Sequence, residues 1–149
     1  MRTVKVAWDG EAERFTASGS HPGQTINVNA PHEPGSDRPA TGFSASELIL
    51  AGVGSCAAWD IVEIMRKGRQ DVTGIDVRVE GTQDPERPWP YRSIVLHFTI
   101  RGRGVSETAV ERAVALSTDR YCSAIATVRG VAEIATSFEV VVEGEDAAA

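Results

Sequence analysis

Hydrophobic and polar residues alternate along the opening of the chain. Thr3 to Trp8 is β-rich and alternating, Asp9-Gly10 is a turn signal, and Arg14 to Ser18 continues the alternation, so the two segments predict a hairpin. Thr25 to Asn29 (TINVN) alternates again and predicts a third strand. Pro31 to Gly42 (PHEPGSDRPATG) has loop chemistry throughout, and a loop of that length is either a linker or a functional cover.

The pattern then changes. From Leu48 to Trp59 no side chain is charged, and Asp60, Glu63, Arg66 and Lys67 come next. The uncharged run is shorter than the roughly 20 apolar residues needed to cross a bilayer, so Ser44 to Lys67 reads as one long helix buried for most of its length in a core. Ser44 and Glu47 have the spacing of a capping box. Gly68 marks the stop, with Arg66 and Lys67 set against the negative end of the helix dipole. Gly52 and Gly54 each lower helix propensity by up to about 1 kcal/mol, which predicts another backbone close to that face.

Beyond the helix, Gly74 to Thr82 alternates as a strand, and the prolines of Asp84 to Pro90 make a connection. Tyr91 to Arg101 is a second strand with Ile94, Leu96, Phe98 and Ile100 on one face. Ser106 caps a helix through Leu116, a short helix runs from Ser123 to Arg129, and Glu133 to Glu143 is the last strand. The order βββ-α-ββ-αα-β predicts an α+β fold of antiparallel sheets with the long helix packed on them. The expected organisation is one domain over residues 1–143 and a disordered tail at 144–149.

Composition narrows the function classes. A formal charge of −6 argues against a nucleic-acid partner, which calls for a basic face. The N-terminal segment has no apolar signal-peptide core, and two cysteines are too few for a secreted disulfide scaffold. These features predict a cytoplasmic chain with reduced thiols and no membrane association.

The candidate chemistry lies in those cysteines, Cys56 in the small-residue patch of the central helix and Cys122 before the short one. Each can be read as a small buried hydrophobe. They can also be read as a redox pair, in which one thiolate becomes a sulfenic acid and the other resolves it. Neither belongs to a CxxC pair. His21, His32 and His97 show no metal-ligand spacing, so neither metal nor cofactor is expected. Cys56 sits mid-helix, where backbone amides are already bonded, and Asp60 one turn on opposes its ionisation. It therefore needs a cation from elsewhere, with Arg14 and Arg38 as candidates. Cys122 lies just before a helix start, and local physics alone picks it as the more reactive sulfur. Glu47 reads as a cap, Leu48, Val53 and Trp59 as candidates to line an apolar pocket, and Trp8, Trp59 and Trp89 as core or interface residues.

Two segments carry a family resemblance. SASELILAGVGSCAAWDIV is similar to the central-helix motif of the osmotically inducible protein C family, which includes the organic hydroperoxide resistance proteins, and DRYCSAIATVRGVAEI resembles that family's second cysteine segment. The likeness runs from about Val4 to Glu143. AERF near the start and GRQDVTGIDVRVEG after the helix resemble a branch apart from the well-studied peroxidases. The resemblance implies an intertwined homodimer with sites at the subunit interface, Cys56 as the peroxidatic and Cys122 as the resolving thiol. It further implies an activating arginine, carried onto Arg14 with Arg38 as the alternative, and a glutamate near the helix start that holds it. The peroxidases place that glutamate where this chain has Ser46. Glu47 comes one residue later, a rotation of about 100° around a helix, and Ala45 replaces the proline that often precedes it.

The activity so implied is reduction of organic hydroperoxides through a Cys56 sulfenate and a Cys56–Cys122 disulfide. A dithiol reductant, lipoyl-type or a small thiol, regenerates the thiols. The alternative is a protein of the same fold that binds a small ligand or senses redox state without turnover.

Overall fold

The computed structural model describes residues 1–30, 35 and 37–144. His32, most of the start of the 31–42 loop and the last five residues of the expected tail lie outside them. The chain forms two compact units, Met1–Ile49 and Leu50–Ala149, divided within the long helix.

The first unit is a three-stranded antiparallel sheet, β1 (Lys5–Asp9), β2 (Arg14–Ser18) and β3 (Thr25–Asn27), in the order β1-β2-β3. The hairpin turn closes on the Asp9 carboxylate, which accepts from the Glu11 and Ala12 amides at 3.0 and 3.2 Å. The register sets Val6 opposite Ala17, Trp8 opposite Phe15 and Ala17 opposite Ile26. Directly opposed residues share a face, so these five make one apolar face, on which the Trp8 and Phe15 ring centroids are 4.7 Å apart. Arg14, opposite Asp9, stands on the other, polar face. Asn29 ties the segment after β3 down by accepting from the Phe15 amide and donating to the Glu13 carbonyl and Thr41 Oγ1.

The long helix, α1 (Ala45–Lys67), begins with the expected capping box: Ser44 N–H donates to Glu47 Oε2 at 2.7 Å, and Glu47 N–H to Ser44 Oγ at 3.1 Å. Its end is a Schellman motif, with Gln70 N–H bonded to the Met65 carbonyl and Arg69 N–H to that of Arg66. The left-handed position, φ 57°, falls on Arg69 and not on Gly68.

The second unit is a three-stranded sheet, β4 (Asp71–Gln83), β5 (Tyr91–Arg103) and β6 (Glu133–Val142), packed with α1, α2 (Glu107–Leu116) and α3 (Ser123–Val128). β4 and β5 pair antiparallel, but β6 runs parallel to β5, so this sheet is mixed where antiparallel pairing was expected. The helices between β5 and β6 form the crossover that parallel pairing requires. Ile94, Leu96, Phe98 and Ile100 all turn into the core as the alternation predicts, meeting Val53, Ala57, Ile61 and Met65 of α1 and Val110, Ala113 and Val114 of α2.

α1 is buried along one face only. Its 23 residues are long and apolar enough to cross a membrane, but Val53, Gly54, Ala57, Ile61 and Met65 pack as a core stripe. Gly54 is required there, because a Cβ would come within 2.6 Å of Val79 Cγ2 on β4. Gly52 faces open space. Val53 points into the core, while Trp8 and Trp59 are exposed at 54 % and 73 %. Trp89 lies half-buried beneath the Arg87 guanidinium.

Candidate functional site

Sequence-distant residues of the second unit meet where α1 passes the start of α3. Between α2 and α3 the chain makes one π-helical turn, Ser117–Tyr121, closed by Cys122 N–H donating to the Ser117 carbonyl at 2.9 Å. Such a turn inserts an extra residue and re-aims the chain beyond it. Arg129 secures it, donating to the Thr118 carbonyl at 2.6 Å and pairing with Asp119 at 3.5 Å. Ser117 is thereby fully buried, and its hydroxyl reaches the Ala57 carbonyl at 3.2 Å and Asp60 Oδ2 at 3.4 Å. Cys122 becomes the N-cap of α3, its sulfur accepting from Ile125 N–H at 3.4 Å.

Cys56 faces this segment. Its Sγ lies 3.8 Å from Ser123 Oγ, and Cys56 Sγ, Cys122 Sγ and an Asp60 carboxylate oxygen all lie within 4.8 Å of one another. The two sulfurs therefore share one site, Cys56 half-buried and Cys122 buried, both as free thiols. Among the described residues, these three form a group that could hold a metal ion. Histidine spacing gave no hint of them, because the donors come from two helices and include no imidazole.

The two thiols are tuned in opposite directions. Burial pushes the Cys56 thiol up, but the Ala124 amide, the Cys122 thiol and the Ser123 hydroxyl outweigh burial and the nearby Asp60 charge, leaving it below the ordinary thiol range. Cys122 is pushed up to about 11, mainly by burial, which the Ile125 amide only partly offsets; the neighbouring Cys56 raises it further. Burial also raises the Asp60 carboxyl, against the Ser117 hydrogen bond. The expectation from local position is thus reversed: Cys56, not Cys122, is the more acidic thiol. A position before a six-residue helix does not offset immersion in the core, and mid-helix Cys56 takes its amide from α3 rather than from its own helix.

Arg14, Arg38 and Glu47 belong to the first unit: Arg14 on β2, Arg38 exposed in the loop, and Glu47 bonded to the Ser44 amide as a cap. Ser117, Ser123 and Ala124 were not legible as site residues. Only the small-residue patch around Cys56, with Gly52 and Gly54, hinted at close approach.

An α+β chain with two sheets, a central helix and a paired-thiol site defines the class. The family described as OsmC-like protein matches residues 35–147, and the chain belongs to that family. Protein YhfA of Escherichia coli (strain K12) is 40 % identical over 98 residues, 66 % of this chain and 73 % of YhfA. A hypothetical protein from Aquifex aeolicus VF5 superposes with a TM-score of 0.82 at 29 % identity, covering 97 % of this chain and 98 % of that one. An organic hydroperoxide resistance protein OsmC from Legionella pneumophila shares the fold, with a TM-score of 0.70 at 18 % identity over 94 % of this chain and 97 % of that one.

Proposed function

We propose that the chain is a thiol-dependent peroxidase that reduces organic hydroperoxides. The observation that carries this reading is the convergence of Cys56 and Cys122, one thiol half-buried and held below the ordinary range, the other buried and held above it. The Cys56 thiolate attacks the terminal peroxide oxygen. An S–O bond forms, the O–O bond breaks, and the departing alkoxide takes a proton to leave as the alcohol. The Cys122 thiol then attacks the Cys56 sulfenic sulfur, forming the disulfide and releasing water. A dithiol, lipoyl-type or small, restores both thiols by exchange through a mixed disulfide.

In this reading Arg14 supplies the charge that stabilises the thiolate and the developing alkoxide, with Arg38 as the alternative. The protein acts as a homodimer in the cytoplasm. Support for a second copy comes from the apolar face of the first sheet, where Val6, Trp8, Phe15 and Ile26 are 44–59 % exposed. A three-stranded sheet needs such a face covered to be stable.

Cumene or tert-butyl hydroperoxide consumption with a dithiol tests the proposal. Cys56→Ser is expected to lower turnover by about 10³-fold or more, as loss of a nucleophile does; unchanged turnover would end it. A second reading, redox sensing or ligand binding without turnover, is favoured by one observation: Glu47, the nearest counterpart of the family's arginine-holding glutamate, is bonded to the Ser44 amide. Disulfide formation in wild type without catalytic peroxide consumption would select it.

A further inference from the structure

The two sulfurs also belong to an arrangement that the peroxidase reading does not use. Cys56 and Asp60 stand one turn apart on α1, the i, i+4 spacing by which one helix face presents two donors to one ion. Cys122 meets them from the start of α3, and all three donor atoms lie within 4.8 Å of one another. Around tetrahedral zinc, with bonds of about 2.3 Å to sulfur, donors stand about 3.8 Å apart. Side-chain rotations that move the donors by about an ångström would close the set.

Each donor also has a hydrogen-bond partner behind it. Ser117 Oγ–H reaches Asp60 Oδ2 at 3.4 Å, the Ile125 amide reaches Cys122 Sγ at 3.4 Å, and the Ala124 amide and Ser123 hydroxyl serve Cys56. Outer bonds of this kind orient ligands and steady thiolates on a metal. Cys122 is buried, whereas Cys56 and Asp60 are only half-buried, so the set is more open to solvent on the α1 side.

We infer that the reduced chain binds one thiophilic divalent cation of the zinc class through Cys56 Sγ, Cys122 Sγ and the Asp60 carboxylate. Two thiolates select zinc or cadmium over magnesium or calcium. Binding releases both thiol protons to solvent and transfers no electrons. The inference rests on this donor geometry and not on the peroxidase reading, with which it competes for the same thiols.

The test uses the full chain, reduced and handled without oxygen. Cd²⁺ alone is titrated while the ultraviolet sulfur-to-metal charge-transfer band is monitored, Zn²⁺ is measured by equilibrium dialysis, and circular dichroism checks that each variant is folded. The expected result is one ion per chain, protection of Cys56 from iodoacetamide, and no competition from excess Mg²⁺. The band should halve or vanish in Cys56→Ser and in Cys122→Ser. Ser117→Ala, which removes no donor, should weaken binding by about tenfold. No stoichiometric binding by the folded wild type, displacement by Mg²⁺, or binding unchanged in the Cys56→Ser/Cys122→Ser double variant would overturn the inference. Hydroperoxide turnover is assayed separately on metal-free chain: turnover without metal binding overturns this inference alone, and metal binding without turnover supports it while counting against the peroxidase.

Discussion

At the scale of single residues, the site works by contrast between two chemically identical side chains. Cys56 is reached by an amide and a hydroxyl from a neighbouring helix, whereas Cys122 is enclosed by Ile125 and the core. Alkylation by iodoacetamide against pH should separate them. A thiol held below the ordinary range gains thiolate, and with it reactivity, at a lower pH than a free thiol does. Cys56 should therefore be modified first, with a midpoint below that of a free thiol, while Cys122 stays unmodified until the pH nears 11. Ser123→Ala should move the Cys56 midpoint upward, because a donor to the thiolate is lost. An unmoved midpoint would remove Ser123 from the site. The acidity order was not legible in the sequence. Local position favours Cys122 as a helix cap, and desolvation, which reverses the order, depends on neighbours brought from elsewhere in the chain.

At the scale of elements, α1 sets the geometry, and its sequence states much of that role. The capping box at Ser44 and Glu47 was legible because it is local, four residues bonding to themselves. Glu47→Ala should lower stability by about 0.5–2 kcal/mol in urea unfolding, the usual range for a lost cap. Peroxidase turnover per folded molecule should be retained, since the carboxylate is already engaged at the helix start. The two glycines looked alike in the sequence but differ in the fold. Gly54→Ala forces a methyl against Val79 and should cost about 1–3 kcal/mol. Gly52→Ala meets nothing and should be neutral or stabilise the chain by up to about 1 kcal/mol. The same urea midpoints check both, and equal effects would contradict the assigned packing. The π-turn at Ser117–Tyr121 was not legible, because its single inserted residue leaves no periodic signature.

At the scale of the whole molecule, apolar side chains remain exposed among the described residues, including the Val6, Trp8, Phe15 and Ile26 face of the first sheet and Trp59 of α1. The proposed homodimer covers apolar area of this kind. Sedimentation of the wild type should give a dimer, and Phe15→Glu, which places a charge on that face without touching either cysteine, should shift it toward monomer. A monomeric wild type at micromolar concentration would contradict the proposed assembly.

The sequence by itself determined the elements, the β5 face that fills the core, both ends of the long helix to within a residue, and the family, because these arise from periodicity, capping and short motifs read over neighbouring residues. Tertiary structure decided that β6 joins its sheet in parallel, that Cys56, Asp60 and Cys122 stand together, and which thiol is the more acidic. Strand direction, convergence and desolvation all come from contacts between residues far apart in the chain, and no local pattern specifies those.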